Sequence, residues 1–306
     1  MGTQRGGTTP AVLVGLAMMF VFPGFAAGQA PAVAPRASDM ARTPEGHPDL
    51  QGVVWVTGPD SVLYTGDLET GIADEEARTI QGQELFPASS LVIHPPDGLI
   101  PYQPWAAARR ETIPHQRSGD LIGRKVTDRE PSSLRDIRPQ TMCLPAAPRI
   151  VFDRDFRIIQ TPGYVMMLWD WSHAYRVIPL DGRPRVPSKV KMAMGDARGR
   201  WEGDTLIVET TNMNDWDWLD AAGTFHSDAM TSVERFTVVD SDTVSYEVTI
   251  TDRNVFTRPW TAAFPIRARR DKEVVDWFGK LETACVEGER AVGNILGDVR
   301  KFPKPY

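Results

Sequence analysis

Cysteine is scarce in this chain, and the scarcity excludes several designs at once. There are two, Cys143 and Cys285, among 306 residues. Neither belongs to a CxxC pair, so zinc ribbons, zinc fingers and thioredoxin-like redox motifs drop out. Histidine is sparse too, with five residues, and no HExxH, HxH or HxxxH occurs. A zinc or iron centre therefore has no ligand spacing to recommend it, and no metal is expected. Positive charge is in deficit: 34 Lys and Arg stand against 40 Asp and Glu, a net charge of -6. That balance lacks the basic field a nucleic-acid partner requires. The G-x-S-x-G elbow of serine hydrolases is missing. Gly195, Gly199 and Gly203 lack the GxGxxG or GK[ST] pattern of phosphate cradles, so no nucleotide cofactor is expected.

Long apolar runs are lacking as well. The run from Ala11 to Phe22 is well short of the ~20 residues that cross a bilayer. Arg5 precedes it, Pro23 and Gly24 end it, and the small residues Ala26, Gly28 and Ala30 follow, which is the order of a secretory signal peptide. The expectation is a signal peptide over 1–28, cleaved after Gly28 or Ala30, and a flexible Ala- and Pro-rich leader over 29–41. The mature protein is then periplasmic or secreted, with no membrane span after processing. In that compartment Cys143 and Cys285 most simply form one disulfide, two buried free thiols being the alternative.

What is present separates into two styles. Residues 42–149 place Pro and Gly every few positions (TPEGHPDLQG, HPPDGLIPYQPW, EPSSLRDIRPQ), favouring turns and short extended pieces. Helices are predicted at Asp74–Gly82 and around Pro104–Glu111, where Pro opens a run of good helix formers. This half reads as a wrapping layer without its own core. Residues 150–306 read as strands: FRIIQT, YVMMLWDW, YRVIPL, VERFTVV and TVSYEVTI, with more in FTRPWTAAFPIRAR and EVVDWFGKLETACVE. Val165, Met167, Trp169 and Trp171 share one face of their strand, and the other face is apolar enough to predict cover on both sides. No period of 20 to 50 residues repeats, which excludes propellers and solenoids. The predicted fold is mostly β, an antiparallel meander closing into a lipocalin-like barrel or a sandwich.

The chemistry-bearing residues concentrate between Arg198 and Asp252. Period-two counting through VERFTVV turns Glu234 inward with Phe236 and Val238. An apolar surround disfavours an ionised carboxyl and raises its pKa toward the range useful for acid–base work; the structural alternatives are a buried ion pair with an arginine such as Arg198 or Arg200, or a start-of-strand residue that reaches solvent. His226, in GTFHSDAM, is the expected proton carrier, with Glu234 or Asp228 as its partner and Asp220 nearby. His173, in WDWSH, is a second candidate. Trp171, Trp201, Trp216, Trp218 and Trp260, with Tyr246, supply flat apolar walls, and Asn212 and Asn214 supply polar contacts, a combination suited to an aromatic or hydrophobic ligand.

The blocks RTPEGHPDLQG, IIQTPGYVMML, RVIPLDGRP, GRWEGDTLIVETTN, WLDAAGTFHSDAM, VERF and TRPWT together resemble a group of exported bacterial proteins, across nearly the whole mature chain. The resemblance implies export and a common fold and transfers no catalytic residue. In architecture the chain is also similar to lipocalin-like barrels, some of which are hydratases, cyclases or isomerases of hydrophobic substrates. The functional expectation is an exported enzyme that acts on a small hydrophobic or aromatic molecule by cofactor-free acid–base chemistry. Lyase, isomerase or hydratase activity fits first and hydrolysis next; the alternative is a non-catalytic periplasmic binder of the same architecture.

Overall fold

Strict alternation in VERFTVV and TVSYEVTI produces the hairpin that the sequence predicts, turning at Ser241-Asp242. The computed structural model describes residues 40–57, 68–69, 79–80, 83–84, 90–113, 134–136, 143–153, 155–169, 171–172, 174–220, 222–272 and 275. Its strands are β1 (Val54–Thr57), β2 (Thr79–Ile80), β3 (Gln83–Glu84), β4 (Val92–His94), β5 (Phe156–Thr161), β6 (Tyr164–Trp169), β7 (Tyr175–Pro179), β8 (Asp196–Glu202), β9 (Thr205–Thr211), β10 (Thr231–Asp240), β11 (Thr243–Thr251) and β12 (Trp260–Arg269). Helices α1 (Pro104–Thr112) and α2 (Arg149–Asp153) and a 3-10 turn at Leu134–Asp136 accompany them.

Apart from the small β2–β3 ribbon, the strands form one antiparallel sheet in the order β7-β6-β5-β1-β12-β11-β10-β9-β8, with β4 also paired to β12. The sheet curls until its two ends, β7 and β8, approach one another, giving a nearly closed barrel as expected. One apolar core runs through it, with Trp55, Phe156, Phe236, Tyr246, Trp260 and Phe264 among its largest fully buried side chains. Pro265 cannot donate to a ladder, yet it lies within β12. It is tolerated because it falls between the stretch paired with β4 and the stretch paired with β1.

Several expectations need correction. Residues 42–149 do more than wrap: β1 enters the middle of the sheet between β5 and β12, with Trp55 opposite both Phe156 and Ala268. Thr79–Ile80 is a strand, so the helix expected over Asp74–Gly82 does not form there; most of that segment lies outside the described residues. On β6 one face, Val165, Met167 and Trp169, is buried as expected, while the other is only half-buried. The helix at PWAAARRE does form. Pro104 starts it, and Ile113 leaves it with an extended backbone, as a residue preceding proline must.

The seam between β7 and β8 has no strand-to-strand hydrogen bonding and is closed by side chains. Gly199 lets β8 approach closely: a Cβ there would lie 2.7 Å from Ile178 Cγ2 and 2.8 Å from Leu180 Cδ2. From β7, Arg176 reaches across the interior to β10 and β9. Its guanidinium donates to Glu234 Oε1 at 3.0 Å, to Glu234 Oε2 at 2.5 Å and to Thr210 Oγ1 at 2.5 Å.

Cys143 is disulfide-bonded, and the chain's one other cysteine is Cys285, which lies outside the described residues. Residues 1–39, which hold the expected signal peptide and most of the expected leader, and most of EVVDWFGKLETACVE lie outside them too. Among the described residues no helix is long and apolar enough to cross a membrane.

Candidate functional site

The polar residues that the sequence gathers into one site are divided by the fold. Glu234 does point inward, but inward here means a packed core. It is fully buried, both its oxygens engage Arg176, and Tyr246 Oη donates to Oε1 at 3.0 Å. The Tyr246 ring packs between Phe236 at 4.8 Å and Phe264 at 4.9 Å, centroid to centroid. Burial, followed by the neighbouring Glu234 charge, pushes the Tyr246 hydroxyl well above its usual range. Glu234 is thus the anionic half of an internal strut, and the proton-transfer role expected for it is withdrawn. A buried ion pair forms instead, but with Arg176; Arg198 pairs with Asp196 and Arg200 with Glu202 and Glu209.

The aspartates near His226 in sequence are also committed elsewhere. Asp220 is fully buried and closes the turn to Thr224, accepting from the Thr224 N–H at 2.9 Å and hydroxyl at 2.6 Å and from the Leu68 N–H at 3.2 Å. Asp228 is exposed and lies 3.7 Å from Lys191. Neither bonds His226, so both leave the catalytic set. His173 lies outside the described residues.

His226 itself occupies a cleft. The described lining comprises Trp105 and Arg109 from α1, Arg135 from the 3-10 turn, Asp215, Trp216, Trp218, Phe225, His226 and Ser227 from the excursion between β9 and β10, and Val255. Its volume is about 110 Å³. A closed cavity of roughly 150 Å³ holds a benzene, so this open cleft is on the scale of a single ring.

The excursion keeps its shape through a small set of contacts. Trp218 pairs with Phe225 as an isolated bridge, and Asp220 ties the turn between them. Arg149, buried at the start of α2, donates to the carbonyls of Trp218 at 2.9 Å and Asp220 at 3.1 Å. Gly223 has φ +82°, and a Cβ there would meet Ile113 Cγ2 at 2.9 Å, so the turn sits directly against the end of α1.

Asp252, next after β11, accepts from the Ser227 N–H at 2.6 Å and hydroxyl at 2.9 Å. The anchored Ser227 offers its carbonyl to His226 Nδ1 at 3.0 Å. A carbonyl only accepts, so Nδ1 carries the hydrogen and Nε2 presents its lone pair. Nε2 is buried and has no hydrogen-bond partner among the described residues. Burial lowers the imidazole pKa below its usual value, outweighing the Ser227 bond and the Asp252 and Asp215 charges that raise it, so the ring is neutral at physiological pH.

The remaining expected binding residues separate in the same way. Trp216 and Trp218 line the cleft. Asn214 supports it from behind, accepting the Trp216 N–H at 3.3 Å. Asn212 is a loop fastener, with φ +60° and its amide donating to the carbonyls of Pro187 at 2.9 Å and Val190 at 3.0 Å. Trp201 stacks on His47 with ring centres 4.9 Å apart. Trp171 and Trp260 are buried in the core, and Tyr246 is at the strut; none of these four lines the cleft.

Sequence reasoning missed Trp105, Arg109 and Arg135. A signal for the first two was available: they lie four residues apart on the predicted helix and so share one face. Arg135 stacks over Trp216 at 4.9 Å and binds Asp215 Oδ2 at 3.1 Å. No family model, curated protein or solved structure matches the chain. Among the described residues no cluster of three or more metal-ligating side chains occurs.

Proposed function

We propose that this is an exported protein of the periplasm or cell exterior that binds a small aromatic molecule in the cleft between α1 and the β9–β10 excursion. Export is supported by the N-terminal sequence pattern and, separately, by the resemblance of the motif blocks to exported bacterial proteins. The observation that carries the binding reading is His226 Nε2, a neutral, buried acceptor without a partner among the described residues, on a side chain that lines an aromatic cleft. An unmade hydrogen bond of this kind costs about 1–3 kcal/mol, and a ligand hydroxyl or N–H reaching Nε2 recovers much of it. Trp105, Trp216, Trp218 and Phe225 give such a ligand ring faces and edges to pack on. The test is a titration of the mature protein with phenols and their methyl ethers, followed by tryptophan fluorescence and calorimetry. Phenols saturating more tightly than their ethers, with the preference lost in His226→Phe, supports the reading; no preference in wild type refutes it.

The neutral imidazole with a fixed tautomer favours a second reading, in which the same His226 removes a proton from the bound molecule as a general base, without a cofactor, in an isomerase, lyase or hydratase. With Glu234, Asp228 and Asp220 otherwise engaged, that chemistry needs a single base and an acid supplied by solvent or substrate. Mass spectrometry of aromatic and terpenoid compounds incubated with the protein, searching for isomers or the gain or loss of one water, separates turnover from binding.

A further inference from the structure

The charges around the cleft narrow the ligand class further. Arg109 and Arg110 are adjacent at the end of α1 and do different work. Arg110 is buried and donates to Glu69 Oε2 at 2.6 Å, with Asp220 3.9 Å away, so its charge is neutralised inside the protein. Arg109 faces the cleft, its guanidinium 4.6 Å from the centre of the Phe225 ring, and has no carboxylate partner among the described residues. Arg135 is matched by Asp215, and His226 is neutral. Among the described lining residues, one positive charge therefore remains unbalanced, on the residue type that binds carboxylates through paired N–H groups. The apolar walls around it are unusually open for indoles: Trp105 is 50% exposed and Trp216 45% exposed. Both stand at the rim of the same cleft.

We infer that the ligand is a single-ring aromatic acid carrying a hydroxyl, with its carboxylate on Arg109, its ring between the indoles and Phe225, and its hydroxyl donating to His226 Nε2. The inference rests on the binding reading above and adds the anionic group to it. Each of the three features answers one part of such a molecule. The guanidinium above Phe225 attracts an anion while covering an aromatic face. The cleft volume admits one ring, and the unpartnered imidazole nitrogen takes the donor. An apolar hydrocarbon leaves both polar groups unused, and a cation is repelled by Arg109.

The test compares 4-hydroxybenzoate, its neutral amide 4-hydroxybenzamide and unsubstituted benzoate by calorimetry on the mature wild-type protein and on Arg109→Gln and Arg109→Lys. The acid is expected to bind roughly tenfold or more tighter than the amide, the scale of a charge-assisted hydrogen bond. Added salt should weaken the acid and leave the amide unchanged. In Arg109→Gln the preference for the acid over the amide disappears; Arg109→Lys keeps part of it. Arg109 is an exposed helix residue, so both variants are expected to fold, with circular dichroism as the control. If amide and acid bind equally in wild type, the anion inference is overturned while the binding reading stands. If none of the three saturates the protein, both are overturned. If the acid's advantage survives in Arg109→Gln, Arg109 is not the anion site and the inference fails.

Discussion

Removing the carboxylate of Glu234 should damage the protein more than its position beneath a strand surface implies. Arg176 is 2% exposed at its side chain and Glu234 0%, and three guanidinium hydrogen bonds converge there from strands on both sides of the seam. In Glu234→Ala the guanidinium stays buried beside the Thr210 hydroxyl without its counter-charge. The expected loss is about 3–5 kcal/mol, the usual cost of breaking a buried pair from one side. Arg176→Met should cost a similar amount by stranding the carboxylate. Replacing both, as Arg176→Met with Glu234→Leu, removes the two desolvation penalties together and should bring stability back to within about 1 kcal/mol of wild type or above it. Urea unfolding followed by tryptophan fluorescence measures all four proteins, and the coupling is read from the double-mutant cycle. Single variants that each lose less than about 1 kcal/mol, or a double variant that loses the sum of the two, would refute the strut. Ligand binding in the cleft should survive in the double variant, because neither residue lines it.

Other outcomes follow from the same structure. Gly199→Val should destabilise by about 1–3 kcal/mol through overpacking against Ile178 and Leu180, read from the urea midpoint; an unchanged midpoint would show that the seam is looser than described. Breaking the disulfide at Cys143, by Cys143→Ser or by reduction, should cost about 2–5 kcal/mol because the bridge constrains the unfolded chain, measured as a fall in thermal midpoint. For pH, burial holds His226 below its usual 6.5, so the unfolded chain takes up a proton first as pH falls. His226 thus contributes stability above about pH 6.5 that is lost on acidification. The difference in stability between wild type and His226→Phe should therefore change with pH below 6.5 and level off above it, and a difference constant across that window would contradict the burial of a neutral ring.

The legible parts of the fold were those written in local pattern. Val244, Tyr246, Val248 and Ile250 alternate with polar residues, so strand, face and hairpin followed from period two. Pro104 ahead of Ala106, Ala107 and Ala108 announced α1. Inward orientation of Glu234 was legible for the same reason; its partner was not, because Arg176 lies on a different strand and reaches it only when the sheet curls. His226 stood out through its sequence neighbours Asp220 and Asp228 and the tryptophans around them, Trp216 and Trp218 among these, which share its excursion. Trp105, Arg109 and Arg135 did not, because they come from a segment so punctuated by Pro and Gly that it read as cover. The same reading hid β1, four residues whose partners β5 and β12 are both distant in sequence.

By itself, then, the sequence determined strand identity, the face each residue takes and the aromatic character of one loop, since these depend on neighbours within a few positions. Tertiary structure decided which buried charge meets which, and which lone polar atom is left buried beside a cleft. Those outcomes depend on closure of the barrel, which places β7 within reach of β10 and sets α1 beside His226.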